Sequence, residues 1–193
     1  RPFWHGDRSR IADLDLRGPI VDQVSQGLLG GSNGQSLYGI LQELKLAKES
    51  PEIGGVILRL GGTSAGWAAC DEIRQAIAEV QGAGKKVIAY LYGVGTPEYY
   101  IAAGADRIAS HPAGGIDLKG VSMRVTHYKG LLDKVGVEAD FVRIGEYKSA
   151  VEPMTLESMS AANRRQIEAI LDDQYERIAK AIAAGRKLEA AKV

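Results

Sequence analysis

A single cysteine, Cys70, in a chain of 193 residues excludes an intrachain disulfide framework. Histidine is nearly as scarce, and three scattered copies with one thiol leave no zinc set. Neither sign of charge is in excess, because 24 Lys+Arg balance 24 Asp+Glu. That balance argues against nucleic acid as a partner, since a dedicated binder carries a basic patch. No apolar run reaches the roughly 18 residues of a membrane span, and no signal-peptide pattern opens the chain. The first residue is Arg1 rather than Met. We therefore expect a piece of something longer, and an anchor upstream stays open.

What is present is ordinary for a globular α/β chain: 45% hydrophobic and 25% charged residues, with length for one domain over 1–193. Glycine is abundant, 24 residues, and concentrates between apolar runs, as tight turns between strands and helices require. Alternation around Leu14 and Leu16 predicts an opening strand that ends near Gly18-Pro19. The run GLLGGSNGQ, 27–35, reads as a loop, because it lacks the GK[ST] ending of a phosphate cradle. Ser36 should cap a helix striped by Leu37, Ile40, Leu41 and Leu44. A short strand over 55–60 and a helix with Cys70, Ile73, Ile77 and Val80 on one stripe come next. A second buried strand follows over 86–92. Strand, helix, strand in that order predicts parallel pairing, and Cys70 on its stripe reads as a core thiol. Further along we expect a short helix over 97–103, a strand over 107–109, and a helix carrying Tyr128, Leu131, Leu132 and Val135. A strand over Phe141–Ile144 and a long helix from about Ser160 to Gly185 complete the pattern. The tail 186–193 should fray.

Two chemistries are written into this frame. Gly62-Thr63-Ser64-Ala65-Gly66 matches G-x-S-x-G between a strand and a helix, the setting of a nucleophile elbow. Asp106 with His111 or His127 would complete a triad in chain order. Against it, a glycine-rich chain yields such matches by chance, and no second oxyanion donor such as an HGGG run is near. The other candidate is Lys148, on the turn after the strand expected to end at Ile144. There it could project into a crevice at the sheet's carboxyl end. Desolvation penalises an ammonium group, so a lysine walled by apolar groups can take a proton from a serine hydroxyl, as in Ser-Lys dyads. Spacing alone does not separate that role from a solvated surface lysine.

The run IGEYKSAVEP, with the preceding HYKGLLDKVGVEADFVRIG, resembles the catalytic-lysine region of the signal peptide peptidase A (protease IV) family. GGVILRL, GAGKKVIAY and EYYIAAGADRIASHPAGGIDLKGV extend the resemblance to the amino-terminal half of its long, two-repeat form. It implies a crotonase-like (ClpP-like) superhelix of ββα units, and a general base that falls on Lys148. The nucleophilic serine would then stand on a carboxy-terminal half. Where that half carries serine, this sequence has Thr96, and Pro97-Glu98 replaces two glycines; proline lacks the amide an oxyanion hole would use. The family's glycine-rich oxyanion turn falls near 63–66, with only Gly66 retained, and Ser64 becomes a turn residue whose hydroxyl caps an amide. The resemblance further implies remnant signal peptides as substrate, a homo-oligomer, an anchor upstream in a bacterial inner membrane, and a periplasm-facing site. It implies no metal or organic cofactor. Three rivals remain: a non-catalytic scaffold with Lys148 structural, a crotonase-type acyl-CoA enzyme using Glu98, and a self-contained Ser64 hydrolase.

Overall fold

The computed structural model describes residues 10–24, 34–142, 144–145 and 147–189. Two compact units emerge: one runs to Lys119 and resumes at Ala179, the other is Gly120–Ile178.

The first unit is built on strands β1 (Arg10–Asp15), β2 (Ile20–Val21), β3 (Gln35–Ser36), β4 (Ile53–Leu60), β5 (Lys86–Leu91) and β6 (Arg107–Ser110). Its helices are α1 (Leu37–Glu49), α2 (Trp67–Gly82) and α3 (Thr96–Ala102). Strands β1, β4, β5 and β6 lie side by side in that order, and every pairing is parallel. Parallel neighbours need a crossover, which α2 supplies between β4 and β5, and α3 between β5 and β6. Strands β2 and β3 form a separate parallel pair.

Side chains alternate across a pleated sheet, and the register sorts them. Leu14 of β1 stands beside Leu58 of β4, and Leu58 beside Ala89 of β5. Leu14, Val56, Leu58, Leu60, Val87, Ala89 and Leu91 are all buried. The helices answer with Leu37, Ile40 and Leu44 from α1, then Cys70, Ile73, Ile77 and Val80 from α2, again buried. At about 1.5–3 kcal/mol for each large aliphatic side chain, this layer holds the unit together. Ser36 caps α1 as expected, its hydroxyl accepting from the Gly39 amide at 3.3 Å. The other sheet face is mixed: Ile11 is exposed, and Arg59 ion-pairs with Asp13 at 2.6 Å.

The second unit contains α4 (Lys129–Lys134), a 3-10 turn (Ser149–Val151), α5 (Glu152–Thr155) and most of α6 (Ala161–Arg186). Helix α6 starts and stops within a residue of expectation. Its last turns belong to the first unit, where Ile182 and Ala183 are buried and Arg74 donates to the Ala181 carbonyl at 3.1 Å.

Two expectations fail in this stretch. The described residues of the segment 141–144 form no strand and are irregular. Apolar alternation predicts a strand only if a neighbour offers a ladder. Among the described residues none pairs with it, so Val142 stays 97% and Ile144 80% exposed. The stripe Tyr128, Leu131 and Val135 on and beside α4 is likewise at least half exposed rather than packed. Most of the loop expected over 27–35 lies outside the described residues, as does the end of the tail beyond 189.

Candidate active site

The elbow reading fails on backbone geometry. The turn after β4 takes its left-handed step at Gly62, φ +60°, whereas Lys187 is the one described non-glycine residue with positive φ. Ser64 instead lies in an extended bridge beside Pro19: its amide donates to the Gly18 carbonyl at 3.2 Å, and its carbonyl accepts from the Ile20 amide at 2.8 Å. Thr63 is buried and donates its hydroxyl to the Leu16 carbonyl at 2.7 Å. The turn is thus stitched to the chain after β1, without the strained apex an elbow needs. The hydroxyl of Ser64 does not cap α2 either. Gly66 holds the cap position with no side-chain bond, because Ser64 is committed to the bridge two residues earlier.

Of the proposed triad partners, His111 follows β6 at the same end of the sheet as Ser64, its amide donating to the Leu91 carbonyl at 2.8 Å, but Asp106 does not. Asp106 accepts from the Val87 amide at 2.9 Å, where β5 begins. Ser64 follows β4, whose last residue, Leu60, pairs with the end of β5 at Leu91. The two lie towards opposite ends of β5, whose Val87 and Leu91 are about 13 Å apart by strand geometry. Asp106 is also satisfied where it stands. Its burial would raise its pKa, but hydrogen bonds from Lys86, the Val87 amide and Gln81 outweigh that and lower it to about 2. His111 uses Nδ1 to accept from the Ala113 amide at 3.1 Å, a turn-capping bond.

At the head of α3, the Thr96 hydroxyl donates to the Lys119 carbonyl at 2.6 Å and accepts from the Lys119 amide at 2.9 Å. It clamps two segments together. Glu98 is buried, and its carboxylate accepts from the Gly95 amide at 3.0 Å. This satisfies one of the free donors at the helix start, so the carboxylate a crotonase-type acid/base would need is engaged.

Lys148 lies in the second unit. Gly145 turns the chain with φ +98°, a conformation that suits glycine. The Lys148 amide closes that turn onto the Gly145 carbonyl at 3.4 Å. The residue itself, φ −84° and ψ 75°, leads into the 3-10 turn. Its side chain is exposed and lines an open cavity of about 550 Å³ with Val142, Ile144, Tyr147, Ser149, Ala150 and Val151. The lining is mainly apolar. The sheet strand expected to deliver Lys148 is absent, so the turn rather than a strand end carries it.

Sequence reasoning missed Glu152, four residues on in the same motif and 0% exposed. It accepts from the Ser160 hydroxyl at 2.7 Å, the Ser160 amide at 3.2 Å and Asn163 Nδ2 at 3.0 Å. The signal was the pairing of an acidic residue with a Ser-x-x-Asn helix start eight residues later. Beside it, His127 donates Nδ1 to the Leu156 carbonyl at 2.8 Å. No cluster of three or more His, Cys, Asp or Glu that could hold a metal occurs among the described residues.

Comparison with known proteins specifies the class. The model of peptidase family S49 matches residues 79–193, and the chain belongs to that family. Its relatives include the chloroplastic serine protease SPPA of Arabidopsis thaliana, 29% identical over 174 residues, which cover 90% of this chain and 25% of that protein. Protease 4 of Salmonella typhi is 31% identical over 189 residues, covering 91% and 31% respectively. Protease 4 of Haemophilus influenzae is 31% identical over 188 residues with the same coverage. The chain thus spans a quarter to a third of the length of these relatives.

Proposed function

We propose that this chain is the part of an S49 serine peptidase that supplies the general base, Lys148, to a nucleophilic serine carried on a carboxy-terminal half. The whole of 1–193 is then one functional domain, a crotonase-like half of a two-repeat protein. The observation that carries the reading is Lys148 on its turn beside an apolar cavity, inside the stretch matched by the family model. When a partner surface closes over that cavity, loss of water favours the neutral amine. The amine takes the proton from the serine hydroxyl as the oxygen attacks the scissile carbonyl. The resulting ammonium returns the proton to the leaving amine, leaving an acyl-enzyme. Water then repeats the sequence, with the amine again accepting a proton, and frees the serine.

Remnant signal peptides suit this reading, because an extended apolar peptide can lie on walls such as Val142, Ile144 and Val151. The partners are the carboxy-terminal half and further copies of the same protein, held at a bacterial inner membrane with the site facing the periplasm. Protease 4 relatives from Salmonella typhi and Haemophilus influenzae support the bacterial part of that reading. Among the described residues no helix is long and apolar enough to cross a membrane. The chemistry needs no metal or organic cofactor.

The test is peptide hydrolysis by this chain mixed with its carboxy-terminal half. Activity should appear in the mixture and fall to background with Lys148→Ala. An active mixture indifferent to that change would falsify the base assignment. It would favour the second reading, a scaffold half, for which the exposure of Lys148 and of its neighbours Val142 and Ile144 also speaks.

A further inference from the structure

We propose that Glu152 is a positioning residue for Lys148: its buried carboxylate fixes the lysine-bearing turn to the start of α6. The inference rests on the reading of Lys148 as general base and assigns the part that holds it.

Gly120–Ile178 has few deeply buried side chains. Its large apolar residues are mostly at the surface, Met123, Tyr128, Leu131, Val135, Phe141 and Met154 among them. Its most deeply buried side chain is a carboxylate, Glu152. Burying such a group costs several kcal/mol unless hydrogen bonds replace its water. The replacement is specific. One oxygen, Oε1, accepts from the Ser160 hydroxyl; the other, Oε2, accepts from the Ser160 amide and from Asn163 Nδ2. Ser160 is itself the cap of α6, accepting from the Asn163 amide at 3.1 Å. All three bonds therefore run to one point, the first turn of a 26-residue helix.

From that point the constraint passes back to Lys148 through four residues. The Glu152 amide closes the 3-10 turn onto the Ser149 carbonyl, and Lys148 is the residue that begins the turn. On the far side, the Tyr128 amide donates to the Pro153 carbonyl at 2.6 Å, and His127 holds the Leu156 carbonyl. Lys148 itself has an exposed side chain between exposed apolar neighbours. Its backbone placement thus depends on the Glu152 anchor. A shift of 1 Å in a catalytic group can cost roughly a hundredfold in rate.

The experiment uses the active assembly of this chain with its carboxy-terminal half, reading kcat and KM separately alongside the melting temperature of each variant. Lys148→Ala comes first, since its failure to abolish activity sinks the base reading and this inference with it. Glu152→Asp withdraws the carboxylate by one methylene, while Glu152→Gln keeps an acceptor oxygen at full reach. We expect Glu152→Asp to lower kcat about a hundredfold with KM nearly unchanged, and Glu152→Gln to recover most of that loss. If Lys148→Ala is inactive but Glu152→Asp keeps full kcat, positioning is refuted and the base assignment stands. Equal losses in Asp and Gln that track melting temperature would reduce Glu152 to a structural residue.

Discussion

Replacing Gly185 by alanine should destabilise the protein even though alanine is the better helix former. The substitution lies inside α6, where propensity alone favours Ala over Gly by about 1 kcal/mol. Packing decides otherwise. A Cβ built on Gly185 would fall 1.9 Å from the carbonyl oxygen of Ala103 and 2.8 Å from its carbonyl carbon. Both are backbone atoms just past α3, so no side chain can swing aside. The end of α6 is also not free to retreat, with Ile182 and Ala183 buried and the Ala181 carbonyl held by Arg74. Overpacking of this kind costs about 1–3 kcal/mol, sometimes more. A clash with backbone this close belongs at the upper end of that range, so net of propensity a loss of about 2 kcal/mol remains. For a chain of this size that lowers the melting temperature by roughly 4 °C, at about 2–4 °C per kcal/mol.

Gly82 is the internal control. It ends α2, is exposed, and nothing lies within 4 Å of where its Cβ would go. Gly82→Ala should raise stability by about 0.5–1 kcal/mol, a rise of roughly 2 °C. Thermal melts followed by far-ultraviolet circular dichroism, with urea titrations beside them, measure both. A Gly185→Ala melt equal to or above that of Gly82→Ala would refute the close approach of α6 to α3.

Two further outcomes follow from buried and paired groups. Burial, helped by the charges of Asp71 and Glu98, pushes the Cys70 thiol up to about 11, and its side chain is 0% exposed. A thiol reagent at neutral pH should therefore label Cys70 only as fast as the protein unfolds, and rapid stoichiometric labelling of the native chain would count against the packing of α2 on the sheet. Asp106 is held to about 2 against an ordinary value of 3.8, so it stabilises the fold above that ordinary value, and the contribution disappears as pH falls towards 2. Asp106→Asn should cost stability at pH 6, and the gap from the parent should close between pH 4 and pH 2. A gap that persists at pH 2 would mean the three hydrogen bonds to Asp106 contribute through something other than its charge.

The order and packing faces of the elements from α1 to β6 were legible in the sequence, whereas the parallel pair of β2 and β3 was not. Leu37, Ile40 and Leu44, and then Cys70, Ile73, Ile77 and Val80, recur at helical spacing because one face of each helix must meet the sheet. Burial alternates along β4 and β5 because helices pack on one face while the other stays part-exposed. Those patterns report local periodicity and burial together, and both are satisfied within this chain. The sequence also marked Lys148, through a motif whose meaning came from resemblance rather than from spacing.

The tertiary structure alone decided the rest. Phe141–Ile144 has the side chains of a strand, but strand formation depends on a ladder partner, and pattern cannot report whether one is there. Gly62-Thr63-Ser64-Ala65-Gly66 has the letters of an elbow, but φ at Ser64 and the bridge to Pro19 are set by a segment more than forty residues earlier. Glu152 gave no periodic signal at all, since a buried carboxylate is stabilised by donors brought to it from the start of another helix. Hydrophobic periodicity is written residue by residue along the chain, whereas hydrogen-bond satisfaction and ladder pairing belong to groups that meet only once the chain has folded.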